Sequence, residues 1–310
     1  MKFAFVVDPL DHLKAYKDST VAMMREAARR GHTVHALEAR EMVLAGGEVR
    51  SPVRTLTVRD DDHDWYAASD AKDTPLAAFD VVMMRKDPPF DQEYYYATLL
   101  LEHVERAGAR VVNRPGALRD WNEKLAILRF PQFTPAMLVA CDPERLQAFI
   151  EAERDVIVKK LDGMGGTMIF RVRADDANRN VIVETMTDLG RRTVMAQRFV
   201  PEIAQGDKRV LVIGGKVFGH CLARIPKAGE TRGNLAAGGK GVAQPVSARD
   251  REIGEAVGKE LVKAGIVFAG LDVIGDSLTE VNVTSPTGIV EIAKQTGQNA
   301  AKDLLDALEK

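Results

Sequence analysis

Residues 155–172 read DVIVKKLDGMGGTMIFRV. Two β-rich runs, DVIVKK and TMIFRV, flank the glycine cluster of LDGMGG. Glycines in succession let backbone N–H groups approach a phosphate with no Cβ in the way. The cluster is neither a Walker A motif nor Gly-x-Gly-x-x-Gly, and no helical pattern stands behind it, so a P-loop or Rossmann unit is a poor fit. The pattern predicts an antiparallel hairpin with a flexible glycine tip. An ordinary turn is the simpler reading of a bare glycine cluster. Lys159 and Lys160 weigh against it, because only one of two adjacent lysines in so apolar a strand points inward, and an inward lysine needs an anionic partner.

Upstream, Lys2 to Val7 predicts a short strand. Asp18-Ser19-Thr20 supplies N-cap chemistry for a helix to about Arg30, which Gly31 closes, and HTVHALE (32–38) is the next strand. This order begins an open α/β sheet. DVVMMRK (80–86) and ARVVNRP (109–115) add strands around a helix over 91–107 that Gly108 ends. The first 115 or so residues thus predict one small α/β domain. A second region starts near Trp121 with helices NEKLAILRF (122–130) and DPERLQAFIEAE (142–153), the latter capped by Asp142. From about Thr193 come strands RTVMAQRFV, DKRVLVIGG and KVFGHCLARI. PKAGETRGNLAAGGKG (226–241) holds too many glycines for a packed element, and is expected to be a surface loop acting as a lid. A helix over 248–264, a hairpin and one amphipathic terminal helix over the last twenty residues complete the chain.

The 310 residues are 28% charged with a formal net charge of -2, so no overall attraction to nucleic acid or anionic membrane is expected, and an anionic ligand must meet a local cluster. Two cysteines without metal or redox spacing fit a reducing cytoplasm. The N-terminal apolar run, cut by Asp8 and Pro9, is too short for a signal peptide, and no run approaches a membrane span. The expectation is a soluble cytoplasmic protein. Asn282-Val283-Thr284 is then a chance sequon, and the six histidines form no zinc pattern.

The terminal hairpin LDVIGDSLTEVNVTSP (271–286) carries Asp272, Glu280 and Asn282 at positions of one parity. A three-residue turn, Gly275-Asp276-Ser277, pairs Ile274 with Leu278, Val273 with Thr279 and Asp272 with Glu280. Glu280 and Asn282 then share one face beside Asp272. Facing carboxylates repel unless a cation lies between them, and an all-oxygen set suits a hard ion such as Mg²⁺. A solvent-facing acidic surface accounts for the same pattern. Among downstream basic residues, Arg209 and Arg224 flank apolar runs and are the better candidates for a cleft than Lys208 or Arg232.

MRKDPPFD (84–91), LDGMGG (161–166), GDKRVLV (206–212), ARIPKAGETRGNLAAGGKG (223–241) and GLDVIGDSLTEVNVTSPTGI (270–289), with VVDPL and KDST near the N-terminus, resemble the bacterial glutathione synthetases of the ATP-grasp superfamily over essentially the whole chain. The resemblance implies an ATP-grasp fold of mixed α/β class: an N-terminal open α/β-sheet domain (1–120), a central flap domain (121–198) and a C-terminal antiparallel-sheet domain (199–310). It implies ATP-dependent ligation of γ-glutamylcysteine and glycine through an acyl phosphate, with Mg²⁺, or Mn²⁺ in its place, and a homotetramer. Lys124 and Lys159 match phosphate-contacting lysines, and Gly163, Gly165 and Gly166 the phosphate loop. Gln197, Arg198, Phe199 and Val200 match the adenine segment, Asp207 the ribose contact, and Asp272, Glu280 and Asn282 the metal ligands. Arg209 and Arg224 match catalytic basic residues. Ser19, Arg85, Arg232, Asn234 and Ser285 are matched to the peptide substrate. Lys160 stands where the family carries proline, which leaves open which lysine meets phosphate. Another carboxylate–amine ligase, or a nucleotide-binding protein without catalysis, are the alternative readings.

Overall fold

The computed structural model describes residues 1–310 except Asn234, Ala236 and Ala237. β1 (Lys2–Val7) leads to α1 (Ser19–Arg29), whose first turn is closed by the Asp18 carboxylate accepting from the Thr20 and Val21 N–H groups at 2.7 and 3.1 Å. β2 (Thr33–Glu38) follows, then β3 (Val43–Ala45), β4 (Glu48–Val58), β5 (Tyr66–Ala68) and β6 (Lys72–Pro75). These last four go beyond the elements expected from the sequence. β4 nonetheless bears the period-2 signature of a half-buried strand, with Val49, Ser51 and Val53 buried and Arg50, Pro52 and Arg54 between and after them only half-buried. β7 (Val81–Met84), α2 (Gln92–Arg106) and β8 (Arg110–Val112) complete the first sheet, in the order β3-β4-β2-β1-β7-β8 with β5 and β6 added beside β4. β2, β1, β7 and β8 run parallel, and the central β1 and β7 are apolar and buried almost throughout, as strands covered on both faces must be.

α3 (Pro115–Asp120) begins with proline in its first turn. The helix expected over 122–130 is absent as an α-helix: only a 3₁₀ segment, Leu125–Arg129, forms there. Asn122 Oδ1 accepts the N–H groups of Lys124 and Leu125, which starts a tight turn. Pro131 disfavours the helical region for Phe130, which sits at φ -132° and ψ 55°. β9 (Met137–Ala140), α4 (Pro143–Glu153), β10 (Asp155–Lys160), β11 (Ile169–Arg173), α5 (Arg179–Thr187) and β12 (Val194–Arg198) form an antiparallel sheet, β11-β10-β12-β9, backed by two helices. Its apolar cluster, including Leu146, Ile150, Val156, Val158 and Met186, is separate from the other two clusters. The 155–172 stretch is the expected hairpin.

β13 (Asp207–Ile213), β14 (Lys216–Ile225), β15 (Lys240–Pro245), α6 (Ala248–Ala264), β16 (Phe268–Ile274) and β17 (Ser277–Asn282) follow, with sheet order β15-β14-β13-β16-β17. The terminal helix is two helices, α7 (Ile289–Thr296) and α8 (Ala300–Leu308). Gly297 at φ 73° ends the first, and Asn299 caps the second. This sheet shares both remaining apolar clusters with the first sheet. Asn113, just past β8, joins the two. Its side chain donates to Phe268 O and Val283 O and accepts from Val267 and Phe268 N–H. Among the described residues, no helix is long and apolar enough to cross a membrane.

Candidate active site

Between the two antiparallel sheets lies a cavity of about 310 Å³. One wall is β10, β12 and the glycine loop; the other is β13, β14, β16 and β17; Thr231, Arg232, Gly233 and Leu235 of the expected lid close one side.

The β16–β17 hairpin reaches its geometry by an unexpected path. The turn has two residues, Gly275-Asp276, so Ile274 pairs with Ser277 and Val273 with Leu278, one step off the expected register. A β-bulge at Thr279 restores the step, and Asp272 faces Glu280 after all, with Gly270 facing Asn282. Without the bulge every side chain beyond it would change face.

Asp272 is buried and held by two arginines: Arg209 Nε at 2.6 Å and Arg224 Nη2 at 2.8 Å. Burial opposes its charge, but the two guanidinium groups prevail and hold its pKa well below the usual carboxylate range. Arg224 also pairs with Asp207, whose carboxyl is pushed up by burial, Arg224 offsetting only part of this. Across the hairpin, Glu280 accepts from Lys124 Nζ at 2.9 Å, and the same ammonium donates to Gly163 O at 2.6 Å. Asn282 donates its amide N–H to Gly270 O at 3.1 Å, which leaves Oδ1 for another ligand. Among the described residues, no three His, Cys, Asp or Glu side chains form a metal cluster. A cation would therefore draw on the Asn282 amide and on substrate oxygens beside Asp272 and Glu280. This donor set, all oxygen and half charged, fits a hard divalent ion that shares its shell with phosphate.

Of the paired lysines, Lys159 points inward and is 6% exposed, while Lys160 lies half-buried outside the cavity lining. Lys159 Nζ donates to Gln197 Oε1 at 3.1 Å and Thr279 O at 3.2 Å, both neutral, and burial lowers its pKa. Gln197 Nε2 and Asp207 Oδ1 are buried without a partner among the described residues, and both residues line the cavity. Such orphaned groups mark a place where a polar ligand completes the hydrogen bonding. Phe199 and Val200 form an apolar wall with Ile157, Ile203 and Ile274. The guanidinium of Arg171, fixed by Asp155, stacks 3.6 Å from the Phe199 ring centroid. Arg198 also lines the cavity but pairs with Glu153 at the surface. Gly165 and Gly166 take positive φ, 62° and 81°, which opens the loop backbone to the cavity. Arg232 pairs with Glu230 and donates to Gly166 O at 3.3 Å, linking the 226–241 segment to the glycine loop.

Ser285 lines the cavity and donates to Arg85 O at 3.3 Å. Ser19 and Arg85 do not line it. The Ser19 hydroxyl accepts from Ile289 N–H, and Arg85 donates to Thr20 Oγ1 and Pro286 O behind the wall. Asn234 lies outside the described residues. The isoleucine wall, Thr279 and Glu123 line the cavity without being among the residues expected from the sequence. Of these only Glu123 had a visible signal, as an acid between Asn122 and Lys124 ahead of an apolar run.

Two antiparallel sheets gripping a cavity, with a glycine loop on one and an acidic–basic cluster on the other, define an ATP-grasp ligase. The family model described as "Prokaryotic glutathione synthetase, ATP-grasp domain" matches residues 123–297, and "Prokaryotic glutathione synthetase, N-terminal domain" matches residues 1–119. The glutathione synthetase of Nitrosomonas europaea is 55% identical over 100% of this chain and 98% of its own length. That of Ralstonia nicotianae is 53% identical over 100% and 96%. Among solved structures, D-cycloserine synthetase DcsG superposes with a TM-score of 0.70 at 14% identity, covering 99% of this chain and 98% of its own; that likeness speaks to fold alone. The chain belongs to the prokaryotic glutathione synthetase family. It is an ATP-dependent ligase that uses a divalent metal.

Proposed function

We propose that the chain joins γ-glutamylcysteine to glycine with consumption of ATP, giving glutathione, ADP and phosphate. The observation that carries the reading is the cavity where glycine loop, lid segment and the Asp272–Glu280–Asn282 face converge, in a chain related to glutathione synthetases along its full length. Adenine lies against Phe199, Val200 and the isoleucine wall, with Gln197 and Asp207 meeting base and ribose. The triphosphate runs towards Lys159, Lys124 and the N–H groups of the Gly163–Gly166 loop. Asp272, Glu280 and Asn282 would hold Mg²⁺, or Mn²⁺ in its place, which supplies charge neutralisation at the phosphate oxygens.

The cysteinyl carboxylate of the dipeptide attacks the γ-phosphorus, ADP leaves, and an acyl phosphate remains. Glycine's free amine then adds to the acyl carbon, and phosphate departs as the amide forms. Arg209 and Arg224, fixed by Asp272, face the charge that develops on the phosphoryl group and the tetrahedral oxyanion. The Arg232 contact to the glycine loop supports closure against water, which would hydrolyse the acyl phosphate. The separate core of residues within 121–198 supports a flap moving against a joined first and third domain. Ser285 faces the dipeptide, while Ser19 and Arg85 shape that end from behind. Exposed Tyr95, Tyr96 and Leu99 on α2 and Val43 and Leu44 on β3 support a homo-oligomer, with a tetramer as the assembly. A monomer mass in light scattering would refute it. Two cysteines without a disulfide are in keeping with a cytoplasmic location.

ADP release is measured with ATP alone, with γ-glutamylcysteine, and with γ-glutamylcysteine plus glycine. Turnover is expected only in the last. Full turnover without the dipeptide, or none that depends on glycine, overturns the assignment.

A further inference from the structure

β17 is an edge strand, and among the described residues no neighbouring strand accepts its outward N–H groups. Glu123, about 160 residues earlier in the chain, takes that place. Its main-chain oxygen accepts from Val281 N–H at 2.9 Å. Its carboxylate atom Oε1 accepts from Val283 N–H at 2.9 Å, Thr284 N–H at 3.0 Å and Thr284 Oγ1 at 2.8 Å. Asn282 stands between these anchored residues, and Ser285 directly follows them. The neighbouring Lys124 holds Glu280 on the same strand. One dipeptide thus fixes the strand on both sides of Asn282 by main chain and side chain together.

We infer that Glu123 is a positioning residue: it acts as a surrogate strand that sets where β17 ends and so aims the Asn282 amide at the divalent cation. This rests on the reading of Asn282 as a metal ligand. The role depends on the reach of Glu123 and on one acceptor oxygen, not on its charge. Partners that orient a metal ligand from behind commonly change metal affinity 10- to 100-fold when removed.

Two variants separate reach from charge. Glu123→Gln keeps the length and the Oε1 acceptor but not the charge; Glu123→Asp keeps the charge but is a methylene too short. Mn²⁺ binding is measured by calorimetry with a non-hydrolysable ATP analogue present, alongside thermal unfolding without ligands and the Mg²⁺ concentration giving half-maximal turnover. The expected result is Mn²⁺ affinity within about threefold of the parent for Glu123→Gln and about 10- to 100-fold weaker for Glu123→Asp. Equal affinity for all three proteins overturns the inference, as does the opposite order, which would make the charge itself the active feature. Thr284→Val, which deletes one donor to Oε1, is expected to weaken Mn²⁺ binding less than Glu123→Asp does. Unchanged affinity there also counts against the inference. Asn282→Ala tests the underlying reading: if it leaves Mn²⁺ affinity intact, the ligand assignment fails; if it weakens binding while Glu123→Asp does not, only the positioning role fails.

Discussion

Replacing Lys159 by methionine separates binding from stability more sharply than any other change at this site. The Lys159 ammonium is buried, yet its partners are the neutral oxygens of Gln197 and Thr279, while the nearby carboxylates are gripped by Lys124, Arg209 and Arg224. A buried cation without its own counter-ion is costly to the unliganded protein and favourable once a phosphate arrives. Methionine has a similar shape. Its loss of two hydrogen bonds to neutral acceptors costs about 1 kcal/mol each, and relief of the buried charge returns a comparable amount. Unfolding free energy without ligand is therefore expected to move by less than about 1.5 kcal/mol. A charge-assisted bond to phosphate contributes about 1.5–3 kcal/mol, so ATP affinity is expected to fall about 10- to 150-fold. Calorimetric titration with a non-hydrolysable ATP analogue reads the affinity, and urea unfolding reads the stability. Lys160→Met, at a half-buried position outside the cavity lining, is the control and should leave affinity within about twofold. Equal damage from the two variants, or no loss of affinity in Lys159→Met, refutes the reasoning.

Glu280→Gln should lower metal-dependent turnover on the order of 10²-fold while the circular dichroism spectrum is unchanged; unaltered kinetics would remove Glu280 from the metal set. In Gly270→Ala the added Cβ would lie 2.6 Å from Arg209 Cδ and 2.9 Å from Pro286 Cβ, so Arg209 must leave its grip on Asp272. Turnover should drop about 10²-fold, and a variant with parental kcat would show that Arg209 need not stay where it is. Away from the site, Glu26 is buried at the end of α1 against Arg29 and Arg30, with Arg30 also pairing with Asp306 of α8 and Glu309 just past its end. The hydrogen bond from Arg29 leads the lowering of the Glu26 pKa, burial opposes it, and Arg30 adds to it. A depressed carboxylate stabilises the fold above its unfolded pKa, and that contribution is lost as pH falls through the folded value. Glu26→Gln should therefore cost about 1–2 kcal/mol at pH 7, and the gap to the parent should shrink below about pH 4.5; a gap independent of pH would refute the charge argument.

Local chemistry was legible wherever a few neighbouring residues decide the outcome. Asp18 and Asp142 as helix caps, Gly31 and Gly108 as stops, and the hairpin around LDGMGG follow from side chains acting within four residues of themselves. Alternation along a strand put Asp272, Glu280 and Asn282 on a common face. It did so through a turn that does not form, because a bulge at Thr279 compensates for the shorter one, and residue parity alone cannot distinguish the two routes. NEKLAILRF carried helical periodicity, but the Asn122 cap and Pro131 confine it to a 3₁₀ segment.

The sequence alone established the hairpins and strands that line the site, the chemical types brought to it and the family they belong to, but not β3 to β6, the 3₁₀ segment at 125–129 or the break at Gly297. Tertiary structure decided which of Lys159 and Lys160 faces the cavity, that Arg209 and Arg224 both close on Asp272, and that Ser19 and Arg85 stand behind the wall. It alone joined Glu123 to the end of β17. The physical reason is range: caps, turns and strand alternation act over a few residues. Burial of a charge and the pairing of an edge strand depend on groups far apart in the chain, 161 positions for Glu123 and Thr284 and 201 for Arg85 and Pro286, brought together only by packing.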